Sequence, residues 1–344
     1  MNTIVETMLK SPVFDDEIVV TISHLGFIER TSLAEIRSLA HRGVGIKAFF
    51  TRDDDYVKYV SLATMQSVIL FFTSSGLYYW LKVCDIPESN NNPNEYTVQE
   101  LLKIDDGDNI NVFINVKDYT KKDYLRSHYF IFCTKNGVVK RTCLLDYFRH
   151  YRDGIRPSSN CRRAINIMEE DTLVGVVVTN GNDDLMLASS EGHAIRFNES
   201  KIRIMGRNAS GVLGLRRTDA KDEIVGIIHI NDIDKESVMF ICDNGYGIRV
   251  NLEDFRITWR ANLGLKVTNV TNKTGKVVAI TTVSDDNDLL IFNKSDGINQ
   301  IKVKNVPIKH RTTQCVKLID NFPDNDQIVC VLKVDDLDKP EDNM

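Results

Sequence analysis

Proline is scarce in this 344-residue sequence, with seven copies, and tryptophan scarcer, with two. With 42% hydrophobic residues beside so little proline, the chain can bury a sizeable core and does not read as a disordered tail. The seven cysteines are odd in number and never spaced Cys-x-x-Cys. That argues against a zinc ribbon or a disulfide framework and for buried, reduced thiols in a cytosolic protein. No apolar run approaches the ~18 residues needed to cross a bilayer. The first fourteen residues lack the cationic start and apolar core of a secretory signal, so neither secretion nor membrane insertion is expected. The seven histidines have no metal spacing, Gly-x-Ser-x-Gly is absent, and no glycine-rich loop precedes a helical pattern. An enzyme is therefore the weakest reading of this chain alone, and neither a cofactor nor a metal is expected. Helical periodicity is almost absent too.

What is present is a repeat of about fifty residues. Its marker is a tight turn ending in glycine: Gly26, Gly76, Gly137, Gly192, Gly245 and Gly297, at intervals of 50, 61, 55, 53 and 52 residues. Each glycine supplies the positive φ of a hairpin turn. The flanking segments, such as VVTIS, VILFF, YFIFC and VMFIC, are short and rich in β-branched or aromatic residues, as strands are. A second marker, an acidic or polar turn followed by an apolar strand, also recurs six times, ending with Val329 to Val334. Its first copy follows the first glycine turn, so one strand is displaced to the C-terminus. Pairing of that strand with the first repeat would remove two free sheet edges. The fold expected is all-β, a six-bladed propeller or pinwheel of four-stranded blades over residues 15–334, closed by the C-terminal strand. Residues 1–14 read as a connecting segment and residues 335–344 as an acidic tail.

Net charge is −5, yet acids collect in the spacers and bases follow the glycine turns. Residues 30–52, 141–163, 196–217, 249–266 and 299–317 carry +4, +4, +5, +2 and +5, a total of +20 that leaves −25 for the remainder. The second repeat is the exception, with Lys82 alone among the acids of 77–100. In a propeller, equivalent positions of successive blades lie side by side, so these segments predict a basic rim suited to an anionic polymer. The candidate phosphate contacts are Arg141, Arg162 and Arg163 in the third repeat and Arg196, Arg203, Arg207 and Arg216 in the fourth. Arg249, Arg260 and Lys266 in the fifth and Lys302, Arg311 and Lys317 in the sixth complete the set. A propeller that binds protein partners through a face is the alternative from a different class. Tyr78, Tyr79 and Trp80, like His128 and Cys133, read as packing rather than base stacking or chemistry.

The phrases EIVVTISHLGFIERTSLAEI, NGVVKRTCLLDY, AIRFNESKIRIMGRNASGVLGLRR and NGYGIRVNLEDF resemble the C-terminal DNA-wrapping domain of the A subunit of bacterial DNA gyrase. The resemblance runs from about Asp15 to Val334 and is most specific from Gly192 to Arg217. It implies a β-pinwheel whose basic perimeter bends double-stranded DNA for strand passage and supercoiling. The implied partners are the gyrase B subunit, with the rest of the A subunit, in the cytoplasm at the nucleoid. The cleavage tyrosine of that ATP-dependent type II topoisomerase would lie outside this chain. The family also carries a first-blade box, Gln-Arg-Arg-Gly-Gly-Lys-Gly. Here the place is taken by Ala40 to Lys47, in which Arg42, Gly43, Gly45 and a displaced Lys47 remain. The resemblance thus implies binding and bending with incomplete wrapping. It leaves open the sister family, the C-terminal domain of the topoisomerase IV A subunit, which lacks an intact box.

Overall fold

The computed structural model describes residues 17–335 apart from 24, 33–54, 56, 89–95, 106, 117–118, 153–160, 231, 294–297, 321 and 323–325. Six antiparallel hairpins recur along it: β1 (Glu17–Ser23) with β2 (Ile28–Ser32), β4 (Val68–Thr73) with β5 (Leu77–Lys82), and β7 (Tyr129–Thr134) with β8 (Val138–Cys143). The other three are β11 (Asp184–Ser189) with β12 (His193–Asn198), β15 (Ser237–Cys242) with β16 (Tyr246–Asn251), and β19 (Asn287–Asn293) with β20 (Ile298–Lys302). The turn glycines at 26, 76, 137, 192 and 245 all have positive φ, as the spacing predicts; Gly297 lies outside the described residues.

Each hairpin is widened by the apolar strand that follows it in sequence. β3 (Val57–Thr64) pairs with β1, β6 (Ile110–Val116) with β4, β10 (Leu173–Thr179) with β7, β14 (Ile224–Ile230) with β11 and β18 (Val277–Val283) with β15. The C-terminal strand β22 (Ile328–Asp335) obeys the same rule and completes the sixth sheet by pairing with β19. Its partner is therefore the sixth hairpin, not the first repeat, because the strand displaced from the N-terminus was never missing there: β3 already fills that place. The successive strands β6, β10, β14, β18 and β22 lie against one another and form the inner side of the array.

The outer side is built by exchange. Two-residue strands β9 (Arg162–Arg163), β13 (Val212–Leu213), β17 (Leu265–Lys266) and β21 (Val316–Lys317) each leave their own repeat to pair with the hairpin before it. Four sheets thus have four strands, ordered as in β14-β11-β12-β17, and the first and last have three among the described residues. The glycine turn is the latch for this exchange. The Gly137 carbonyl accepts both the Gly214 and Leu215 N–H groups, at 2.8 and 3.3 Å, and Gly76, Gly192 and Gly245 do likewise in their own repeats. A Cβ on Gly137 would sit 2.3 Å from the Leu215 carbonyl oxygen, so the close approach demands glycine as much as the φ of 88° does.

Five hydrophobic clusters fill the five spaces between consecutive sheets. Alternation along a strand divides its residues between two of them. Met186 and Ala188 face the fifth hairpin with Phe240, whereas Leu185 and Leu187 face the third with Ile131 and Cys133. Both faces of the four middle sheets are therefore covered, which makes strands such as β4 and β15 buried at every position. Phe72, fully buried, meets Phe130 and Phe132 edge-on at 5.4 and 5.5 Å and contributes about 2–3 kcal/mol through burial.

Among the described residues, three short helices depart from the all-strand expectation: α1 (Val98–Leu102), α2 (Lys122–Ser127) and α3 (Leu145–Arg152). Thr97 and Glu100 form a reciprocal capping box on α1. α3 occupies the place in the third repeat that 3-10 turns take elsewhere, at Val83–Asp85, Glu199–Lys201, Leu252–Asp254 and Val303–Asn305. The segment 1–14 and the tail beyond Asp335 lie outside the described residues.

Candidate nucleic-acid interface

The second strand of each hairpin carries one residue at a fixed register: Arg30, Trp80, Arg141, Arg196, Arg249 and Gln300. On an alternating strand these arginines would point to solvent. Instead each reaches across to the 3-10 turn of the next repeat. Arg30 Nε donates to the Ile86 carbonyl at 2.7 Å, Arg196 NH1 to Leu252 at 3.1 Å, and Arg249 NH1 to Val303 at 3.1 Å. Arg141 pairs with the Glu199 carboxylate at 3.1 Å and donates to the Glu199 carbonyl at 3.4 Å. Carboxylates complete the grip: Asp184 holds Arg196 at 2.7 Å and Asp285 holds Arg249 at 2.7 Å.

Arg141, Arg196 and Arg249 are only 7%, 7% and 4% exposed. Their guanidiniums are buried and held by hydrogen bonds and ion pairs within the chain, so the structure places these three expected phosphate contacts as clamps between successive repeats. Trp80 supports this by its exception. The third repeat offers α3 in place of a 3-10 turn, and the second repeat accordingly has no arginine but an indole packed against the cluster of Tyr147 and Phe148. Tyr78 and Tyr79 are buried, as expected of packing residues, and Cys133 is fully buried. Of the thiols, Cys84 is exposed and Cys143 and Cys161 half-buried, so the expectation of uniformly buried cysteines holds for Cys133, Cys242 and Cys315.

Beyond each 3-10 turn the chain runs beside the preceding arginine strand and forms a crest. Met205 N donates to the Arg141 carbonyl, Thr258 N to Arg196 and Lys309 N to Arg249, at 2.8, 2.9 and 2.8 Å. Accessible cations lie on the crests and beside them. Arg203 and Arg216 are exposed, and neither guanidinium has a partner among the described residues. Arg207, Arg260 and Arg311 are half-buried and fold back on the previous repeats. Arg207 donates to the Tyr78 hydroxyl at 3.2 Å, Arg260 to the Lys201 and Leu213 carbonyls at 3.0 and 2.9 Å, and Arg311 to the Lys266 carbonyl at 3.3 Å. Lys266 donates to the Glu191 carbonyl at 2.8 Å, Arg163 to Asn166 at 3.1 Å, and Lys317 to the Asp320 carbonyl. Lys302 and Lys317 line a shallow cleft of about 300 Å³ in the sixth repeat, and Arg162 is half-buried on β9. Arg42, Gly43, Gly45 and Lys47 lie outside the described residues.

The Arg203 to Arg207 crest is fixed from below by Lys140, a lysine with no exposed surface. Its Nζ donates to the carbonyls of Ala164, Arg207 and Gly206 at 2.5, 2.7 and 3.3 Å. Burial, assisted by the Arg207 guanidinium and opposed by Asp146, pushes its pKa down to about 7. Burial likewise raises the Tyr78 hydroxyl, against the pull of Arg207 and Arg162.

The family described as DNA gyrase C-terminal domain, beta-propeller, matches residues 17–63, 67–92, 128–147, 183–231, 236–284 and 287–335, one stretch for each hairpin. The chain belongs to this gyrase C-terminal domain family. Its relatives include the DNA gyrase A subunits of Staphylococcus aureus strains MRSA252 and NCTC 8325, each 32% identical over 331 residues. Those 331 residues are 96% of this chain and 36% of either relative, so the chain spans about a third of the length of these curated proteins. Among solved structures, the C-terminal domain of DNA topoisomerase IV superposes with a TM-score of 0.74 at 25% identity, covering 94% of this chain and 95% of that one. The DNA gyrase A C-terminal domain superposes at 0.70 and 19% identity, covering 92% and 99%.

Within the gyrase C-terminal domain fold, sequence reasoning missed Arg256, Ile257 and Trp259, all exposed on the fifth crest. Alignment of the crests IRIMGR, FRITWR and VPIKHR would have exposed them. No helix among the described residues is long and apolar enough to cross a membrane.

Proposed function

We propose that this chain binds, bends and incompletely wraps double-stranded DNA as the non-catalytic C-terminal domain of a gyrase A subunit, presenting a DNA segment for strand passage by the B subunit with the remainder of the A subunit. One observation carries the reading. Once the buried clamps are set aside, cations remain on three successive crests: Arg207, Arg260 and Arg311 at one equivalent position, Arg203 and Arg256 at a second, and Lys309 near Arg311 on the third crest. A track of that kind suits a polyanion with a regular backbone, and arginine's planar fork suits phosphate oxygens. Affinity for a duplex should fall on the order of 10³-fold or more between about 50 and 200 mM salt if roughly 6–10 phosphates are neutralised. A nearly salt-independent affinity would sink the proposal.

The resemblance to the topoisomerase IV C-terminal domain favours a second reading, bending without chiral wrapping, and the incomplete Arg42 to Lys47 box points the same way. The linking-number change fixed in a relaxed plasmid separates the two: wrapping leaves a positive change, simple bending leaves none.

A further inference from the structure

The three crests align residue for residue: Ile202 to Arg207, Phe255 to Arg260 and Val306 to Arg311. In each, the first residue is buried over the 3-10 turn, the third is bridged to the arginine of the preceding hairpin, and the sixth folds back on an earlier repeat. The fifth position points outward. A Cβ on Gly206 would meet nothing within 4 Å, the His310 side chain is 89% exposed, and Trp259 is 69% exposed.

An indole left in water forgoes much of the largest apolar burial any side chain offers. Near it in the chain, Ile257 is 56% exposed. Scattered exposed aliphatics need no explanation, but this pair is set close together among cations. Lys201 Nζ stands 4.1 Å from the Trp259 ring centroid, and Arg256 and Arg260 flank the pair along the chain. The occupant that fits an apolar tip ringed by positive charge is charged outside and apolar within. A nucleic-acid duplex, phosphates around a base stack, meets that description.

We propose that Trp259, with Ile257 beside it, is a wedge that enters a groove of bound duplex DNA and rests on the base stack, while Lys201, Arg256 and Arg260 take the flanking phosphates. The inference rests on the duplex-DNA reading above and adds to it a contact that salt does not weaken and a fixed point of bending, since apolar wedges unstack a base step. The fourth and sixth crests, with Gly206 and His310 at the same position, lack the wedge.

The test uses the two tryptophans. Titrating the full chain with a 40-base-pair duplex should quench the emission that is absent from W259F, while the half-buried Trp80 stays unchanged. W259A should lower duplex affinity about 5- to 30-fold, leave the slope of affinity against salt unaltered, and keep the wild-type melting temperature; W259F should restore most of the affinity. If the wild-type chain binds duplex but Trp259 is not quenched and W259A binds equally well, the wedge is overturned while the DNA reading stands. If wild type fails to bind duplex at any salt, the DNA reading itself falls. Self-association in sedimentation that W259A abolishes, with DNA affinity unchanged, would assign the tip to a second copy of this chain and refute the wedge.

Discussion

Replacing Arg196 with methionine separates a clamp from a phosphate contact. The arginine gives Asp184 two bonds, at 3.0 and 2.7 Å, and the Leu252 carbonyl one at 3.1 Å. Breaking a buried pair by removing one partner costs about 3–5 kcal/mol. Asp184 keeps the Asn198 amide at 3.2 Å and some solvent, so the lower end, ~3 kcal/mol, applies. With an unfolding entropy on the order of 0.6 kcal/mol/K for ~300 ordered residues, the melting temperature of R196M should drop by about 5 °C. Duplex affinity of the folded variant, measured by anisotropy well below its melt, should stay within about twofold, because the guanidinium is buried. Arg203→Gln should behave the opposite way: stability within about 0.5 kcal/mol of wild type, weaker binding to every duplex, and a salt slope reduced by about 0.9. An R196M chain that melts like wild type while losing affinity and salt slope as R203Q does would refute the assignment of clamps and contacts.

Lys140 should leave a signature in pH. The unfolded chain holds that proton to a higher pH than the folded one, so the lysine's contribution to stability rises as pH climbs from about 7 towards 10. The difference in unfolding free energy between wild type and K140M should therefore grow across that window in urea titrations, and a flat difference would contradict it. Gly137→Ala should cost more than about 1 kcal/mol in the same titrations, through φ strain and the Leu215 carbonyl together; an unchanged midpoint would show that the latch is dispensable. Arg42→Ala with Lys47→Ala should reduce the plasmid linking-number change much more than the affinity, whereas proportional losses would make the box one more stretch of ordinary contacts.

The glycine turns and apolar strands were legible because both signals are local. Gly137 or Gly245 announces a hairpin whatever lies around it. The exchanged strands were not, since Val212–Leu213 or Leu265–Lys266 is too short to show a period and is placed by the glycine carbonyl of the preceding repeat. The arginines misled for a related reason. His193–Asn198 is buried at four successive positions, and the cover over Arg196 comes from a turn more than fifty residues later. Charge counted along the chain was right about where bases collect and blind to which of them the next repeat would enclose. Arg203 and Arg216 kept their expected exposure because no later turn reaches them.

The exchange of edge strands also sets an order for folding on the ribosome. A hairpin can form as soon as its glycine turn emerges, but the outer edge of β8 waits for Val212 and its arginine waits for the turn at Glu199. Each of the second to fifth repeats is thus finished by the one synthesised after it, about fifty residues later. At ~5–20 residues per second that is a delay of roughly 3–10 s in which an open edge and an unpaired guanidinium face solvent. Synthesis halted between two repeats would leave the newest blade without its last strand, and cutting the gene at a repeat boundary would not yield a self-sufficient unit.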